Sequence, residues 1–569
     1  MTRDKLTTLI GLALLAGCFA FSLVRILGRA RTDRTDDRET IRIAHWQLEA
    51  GLRTAFDALA RDYEKLHPGV HVEQLAIPER TYTQWLQTQL IGGTATDLIE
   101  LGKMPRNAED EMLSRFFLPL TDYVEQPNPW NRGTDLETTA WRNTFIDGLV
   151  GGFNYRPNLL EYYGVPMSMH TVRVYYNATL WKRLLGNTPE PRTFDEFIAI
   201  CDRVENQARE QHTALIPIAG SKLNGPLIIY KFATSQTQKL GLTALRNHAM
   251  QRDPVELGIS YLRGDWTLDT PAVTDGLAIT RDIGLRLQPG YLQVPREDAT
   301  FYFVQGRALF IATGSYDAPS FRQQAHFPTG VFNIPLPSES HPRYGKNVLG
   351  PASEAATTTS LSFGIPLQTA NRERAVDFLG FLTSRAQNER FTRLSGWLPA
   401  VVGAQLTPEV EPFVPRVDGY VDGFQISNLG ANTARIVENA NNALVRPAGS
   451  VEAFKTIIAP DYGKAVREDL ARQSAVARLN ISRQDLPAAA GHQLVRHAAA
   501  TAAAADRPRL EDRLSAILET QNQQEATRAW IENELARNSA ANGATLSEAR
   551  KTTADRAQKT PPVPVPRPR

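Results

Sequence analysis

Between Ile41 and Leu101 the apolar residues switch repeatedly between two periods, and this switching constrains the fold more than any other feature of the chain. Ile41-Arg42-Ile43-Ala44-His45-Trp46 alternates with the period of a strand. Leu52, Phe56, Leu59, Ala60, Tyr63 and Leu66 follow the spacing of an amphipathic helix, which His67-Pro68-Gly69 stops. Val70, Val72, Leu75 and Ile77 form a second strand, Tyr82 to Ile91 a second helix, and Leu98-Ile99-Glu100-Leu101 a third strand. Strand, helix, strand, helix, strand reads as parallel α/β units, because each helical crossover returns the chain to the same end of the sheet.

The alternation recurs. Val172 to Tyr176 reads as a strand, and Thr193 as the N-cap of a helix carrying Phe194, Phe197 and Ile200, with Glu196 closing a capping box. Ala308-Leu309-Phe310-Ile311 is a buried strand ending in a Gly-Ser turn, and Arg372 to Ser384 is amphipathic. Asn177-Ala178-Thr179 matches a glycosylation sequon, but its place at a strand–helix junction reads as a helix cap. Near residue 455 the composition shifts to Ala, Arg, Glu and Gln, with helix-forming stretches at Lys464–Leu479 and Leu510–Leu535. Residues 456–555 are expected to form a helical extension, and 556–569, ending Pro-Arg-Pro-Arg, an extended polyproline tail.

The N-terminus holds a separate signal. Leu15-Ala16-Gly17-Cys18 is the pattern that a lipoprotein signal peptidase reads, with Cys18 as the lipidated residue. The run from Leu6 to Val24 carries no charge. As a helix it covers about 28 Å, close to the ~30 Å hydrocarbon thickness. An uncleaved anchor therefore competes with a cleaved lipoprotein signal for residues 1–24. Arg25, Arg29, Arg31 and Arg34 outnumber Arg3 and Lys5, so the positive-inside rule argues against an exported body and opposes the lipoprotein reading. Residues 25–39 read as a charged spacer.

Charge and motifs exclude several classes. A net charge of +2 implies no nucleic-acid partner. Two cysteines, Cys18 and Cys201, allow no disulfide framework and no thiolate metal site; Cys201 reads as core. There is no Gly-x-Ser-x-Gly elbow, His-Glu-x-x-His, Walker loop or Gly-x-Gly-x-x-Gly. No catalytic residue, metal or cofactor is expected.

An ordered set of segments resembles the extracellular solute-binding proteins of family 1, the capture components of ABC sugar importers. The segments are IRIAHWQLEAGLRTAFDALARDYEKLHPGVHVEQ, GGTATDLIEL, YYGVPMSMHTVRVYYNATLWKRLL, PRTFDEFIAI, FVQGRALFIATGSYD, RERAVDFLGFLTSRAQNERF and GWLPA, spanning roughly 41–455. Thr96 stands where the family has proline, Tyr316 where it has tryptophan, and Gly350-Pro351-Ala352-Ser353-Glu354 where it has Gly-Gly. The resemblance implies an α/β, two-lobed, type II periplasmic-binding-protein-like fold over 40–455. The expected division is lobe 1 at 40–165 and 306–350, and lobe 2 at 170–305 and 355–455. It also implies a carbohydrate ligand held between the lobes, ABC permease subunits as partners, and an extracytoplasmic position at the membrane. An exported carbohydrate-active enzyme, and a binding fold reused as a sensor or assembly subunit, are the alternatives.

Sugar recognition needs flat apolar faces for the ring's C–H side and carboxylates for its hydroxyls. The candidates at strand ends and turns are Trp46, Glu100, Trp266, Tyr316, Asp317 and Trp397. Trp85 and Trp181 lie in helical patterns and read as core, and Asp97 as structural.

Overall fold

A computed structural model describes residues 38–541 except 106–107, 152, 247–251, 356–358 and 502–504. Cys18, its apolar run, nearly all of the spacer and the proline-rich tail lie outside the described residues.

Strands β1 (Glu39–His45), β2 (Val70–Ala76) and β3 (Leu98–Glu100) alternate with helices α1 (Ala50–Leu66) and α2 (Glu79–Gly92), as the periodicity predicts. β1 pairs in parallel with both β2 and β3. Ile41 and Ile43 pack with Leu52, Phe56, Leu59 and Tyr63 of α1 in one core. Asp97 accepts the Arg42 backbone N–H at 2.9 Å, a structural role. A short antiparallel ribbon, β4 (Tyr155–Arg156) and β5 (Glu161–Tyr162), follows.

β6 (Val165–Met169) and β7 (Val172–Asn177) are separated only by His170 and Thr171, yet belong to different sheets. β8 (Ile216–Ala219), β9 (Ala308–Gly314) and β10 (Thr329–Phe332) join β7, whereas β11 (Thr359–Gly364) and β12 (Leu398–Pro399) join β6. The first sheet runs β12-β6-β11-β3-β1-β2 and the second β10-β7-β9-β8. Each sheet has its own hydrophobic core, so the body is two lobes.

The chain crosses between lobes at His170–Thr171, again between β10 and β11, and a third time after β12. This corrects the expected division of the lobes. Residues 308–314 pair within lobe 2, not lobe 1, and residues 359–399 return to lobe 1. All seven residues of β9 are buried. A strand with no exposed face fits the middle of either sheet, so its apolar run carries no sign of its partner.

The later helices used below are α3 (Phe194–Glu210), α4 (Pro254–Arg263), α5 (Arg296–Val304), α6 (Ala318–Gln324), α7 (Arg372–Leu382), α8 (Arg385–Ser395), α9 (Ala431–Val445), α10 (Val451–Ala500) and α11 (Arg507–Ala541), with others between them, among them Asn224–Ser235 and Pro271–Gly284. The capping box forms at α3: Thr193 Oγ1 accepts from Glu196 N–H at 3.3 Å, and Glu196 returns an acceptor to Thr193 N–H at 3.1 Å. Asn177 Oδ1 caps the helix Ala178–Leu185 that follows β7, accepting from Leu180 N–H at 2.9 Å. Cys201 is buried, and burial pushes its thiol up. α10 and α11 form an antiparallel pair in which Leu514 packs over Gly491 and Gln521 meets Asp485. α10 starts at Val451, five residues before the expected boundary, because Ser450 Oγ caps it through Ala453 N–H at 3.0 Å. Among the described residues no helix is long and apolar enough to cross a membrane, and no group of three or more His, Cys, Asp or Glu is placed to hold a metal ion.

Candidate functional site

The C-terminal ends of β1 and β3 in lobe 1 carry Trp46 and Glu100. In open α/β sheets the strand ends form the natural crevice. Glu100 is fully buried, and both its oxygens are engaged by the loop after β1: Oε2 accepts from Trp46 N–H at 3.1 Å and Oε1 from Gln47 Nε2 at 2.6 Å. Burial pushes the Glu100 carboxyl well above its ordinary range, against the pull of those donors and Lys103. Glu100 therefore braces the loop rather than presenting an acceptor to a ligand, a correction to its expected role. The half-buried Trp46 ring packs edge-on against Tyr82, with the Lys103 ammonium 5.4 Å from its centroid.

The same loop ends at Glu49, at the seam with lobe 2. The Arg296 guanidinium, at the start of α5, lies 3.5 Å from Glu49 and 2.5 Å from Asp317, so one cation joins a carboxylate of each lobe. Asp317 is buried and also accepts from Thr313 Oγ1 at 2.6 Å. Arg296 stacks over the Tyr316 ring at 5.1 Å. Burial works against the Arg296 charge, but Asp317, Tyr316 and Glu49 outweigh it and hold the guanidinium above its ordinary range. Burial pushes the Glu49 carboxyl up, only partly offset by Arg296.

Tyr316 of lobe 2 meets Trp397 of lobe 1 at 6.2 Å between centroids, and His170 of the first crossing at 5.7 Å. Trp397 Nε1 and His170 Nδ1 are buried here without a hydrogen-bond partner among the described residues. Burial lowers the pKa of His170, keeping the imidazole neutral. A buried donor or acceptor left unmade costs about 1–3 kcal/mol, so both ring nitrogens favour a hydrogen-bonding partner at the seam. Three cavities lie away from this seam. One, of about 240 Å³, is largely apolar and sits beneath Val273, Leu277, Phe424 and Phe454. Another, of about 950 Å³, is bounded by Arg173, Lys231, Glu354, Arg416 and Tyr420, and a third, of about 450 Å³, by Glu205, His212, Leu285 and Pro289.

Five of the six expected residues thus share one contact network running from Trp46 through the 46–49 loop to Arg296, Asp317, Tyr316 and Trp397. Trp266 does not belong to it. It is 1% exposed, its Nε1 donates to Ser260 Oγ at 2.9 Å, and Tyr261, Phe424 and Tyr462 surround it. The Gly264-Asp265 turn points this ring inward, because α9 and α10 supply a core that covers it. Trp181 is buried as expected, while Trp85 is half-buried at the edge of a core cluster. Glu49, His170 and Arg296 were not singled out from the sequence. Glu49 follows Trp46 closely enough for the loop to suggest it, whereas nothing local marks Arg296.

The model of the bacterial extracellular solute-binding proteins matches residues 58–412. The multiple sugar-binding protein of Streptococcus mutans is 22% identical over 399 residues, covering 70% of this chain and 83% of its own. An uncharacterized ABC transporter extracellular-binding protein of Pyrococcus horikoshii is 22% identical over 424 residues, covering 72% and 83%. Among solved structures, the GacH receptor of Streptomyces glaucescens superposes with a TM-score of 0.52 at 13% identity, over 76% of this chain and 99% of that one, which speaks for the fold. Two lobes joined by three crossings, with aromatic and charged side chains converging where they meet, agree with the family match: the chain belongs to the bacterial extracellular solute-binding proteins.

Proposed function

We propose that this protein captures a carbohydrate, an oligosaccharide by preference, between its lobes, releases it unaltered, and delivers it to an ABC importer outside the cytoplasmic membrane. The observation that carries this reading is the pair of buried, unpartnered ring nitrogens, Trp397 Nε1 as donor and His170 Nδ1, beside the half-buried Tyr316 face. A polyhydroxylated ring answers all three, with hydroxyls that donate and accept and a C–H face that stacks on an aromatic plane. The multiple sugar-binding relative, and the GacH receptor structures determined with acarbose, support the ligand class. The ABC transporter relative supports delivery to a permease. Cys18 lipidation or an uncleaved N-terminal helix would hold the protein at the membrane.

The test is a thermal-shift screen of the full chain against mono- and oligosaccharides, with chromatography of each sugar afterwards. A ligand at a hundredfold excess over Kd stabilises by about 2.7 kcal/mol. One sugar series that raises Tm and is recovered intact supports the proposal. A flat screen, or a sugar returned cleaved or modified, overturns it.

A further inference from the structure

The two C-terminal helices touch both lobes, by different kinds of contact. On lobe 2 the contact is a packed apolar base. Ile531 of α11 is fully buried in one cluster with Tyr462 and Leu470 of α10 and with Leu257, Ile259 and Trp266 of lobe 2, and Trp530 and Leu535 pack against that cluster. Glu534, nearly buried, accepts from both Arg263 Nη2 at 2.7 Å and Nε at 3.2 Å. On lobe 1 the same hairpin reaches the β4–β5 ribbon and its neighbour by polar groups. Arg513 pairs with Glu161, Arg509 Nη1 lies 3.3 Å from Asp122, and Gln524 Nε2 donates to Asn158 Oδ1 at 3.4 Å. Three of these side chains are largely in solvent: Arg509 is 71% exposed, Asp122 73% and Arg513 57%.

We propose that the α10–α11 hairpin is an interlobe strap, fixed to lobe 2 by its apolar base and held to lobe 1 by a releasable polar contact, so that a change of lobe angle requires its far end to let go. The contacts form a closed ring: lobe 1, the three crossings, lobe 2, the hairpin, and lobe 1 again. Rotation about the crossings moves the β4–β5 ribbon relative to the hairpin. The base cannot give, because its side chains are interdigitated with a core. The far end can, because the Arg509–Asp122 pair and the Arg513 guanidinium stand in solvent, where ion pairs are weak and screened by salt, while Glu161, 14% exposed, stays with lobe 1 through Thr121. The strap lies beyond residue 412, where the family match ends, and its action does not depend on what the cleft binds.

The experiment is double electron–electron resonance on the full chain in a Cys18→Ser background, with nitroxides at Thr88→Cys in lobe 1 and Glu210→Cys in lobe 2. Arg513→Glu should broaden or shift the interlobe distance distribution, and adding Glu161→Arg should restore it. Raising salt should move the wild type toward the Arg513→Gln distribution and leave that neutral variant nearly unmoved. If Arg513→Glu folds poorly, Arg513→Gln, which only deletes the pair, should show the same shift to a smaller degree. A distribution identical in the wild type and the folded Arg513 variants, or a swap that fails to restore it, overturns the strap. A chain that binds no sugar leaves these outcomes as they are, so the two proposals fail separately.

Discussion

Removing the cation between the lobes is the sharpest perturbation of the seam. Arg296→Gln leaves Glu49 and Asp317 facing each other with their side chains 13% and 5% exposed. Breaking a buried ion pair by deleting one partner costs about 3–5 kcal/mol. Arg296 itself is 26% exposed and Asp317 keeps Thr313 as a donor, so about 2–4 kcal/mol is the expected loss here. Unfolding entropy of roughly 2.1 cal/mol/K per residue makes 1 kcal/mol worth about 1 °C in a chain of this size, so Tm should fall by ~2–4 °C. The pH dependence follows from linkage. Burial already raises the Glu49 carboxyl, so its ionisation opposes folding as pH rises past its unfolded-state pKa, and does so fully above its folded-state one. Losing Arg296 removes an influence that lowers that pKa. The Tm deficit should therefore shrink as pH falls through the Glu49 folded-state value and be fullest above it. A melting curve within half a degree of wild type at neutral pH, or a deficit that grows on acidification, would refute the reasoning.

Other outcomes follow from the same structure. Trp266→Ala should cost about 3–5 kcal/mol in urea unfolding and leave sugar affinity per folded molecule unchanged, as a core ring rather than a ligand platform requires. Tyr316→Ala and Trp397→Ala should each weaken binding of the screened sugar by about tenfold, roughly 1.4 kcal/mol by calorimetry, while Trp181→Phe should not. Asp469→Ala should lose about 2–3 kcal/mol by denaturant titration, because its buried carboxylate accepts from Asn432 N–H, Thr433 N–H and Thr433 Oγ1, each at 2.9 Å. Gly396→Ala should lose about 1–2 kcal/mol in the same assay, since Gly396 has φ 71° and a Cβ there would sit 3.0 Å from Pro319 of lobe 2.

The periodicity at 41–101, the Thr193–Glu196 box, the Asn177 cap and the long C-terminal helices were legible in the sequence because each is settled by residues a few positions apart. Side-chain spacing and capping act over one or two turns of chain. The meeting of Tyr316 with Trp397, and of Arg296 with Glu49, was decided only by tertiary structure, since those partners lie in different lobes and are brought together by three crossings. The same cause explains the errors. β9 is buried throughout, so no exposed face in it says which sheet it joins. Trp266 follows a turn motif that suits a ligand loop equally well, and only α9 and α10, far along the chain, supply the core that covers it. Local sequence sets which segments become strands and helices; which faces they share is fixed by long-range burial, a property of the whole chain.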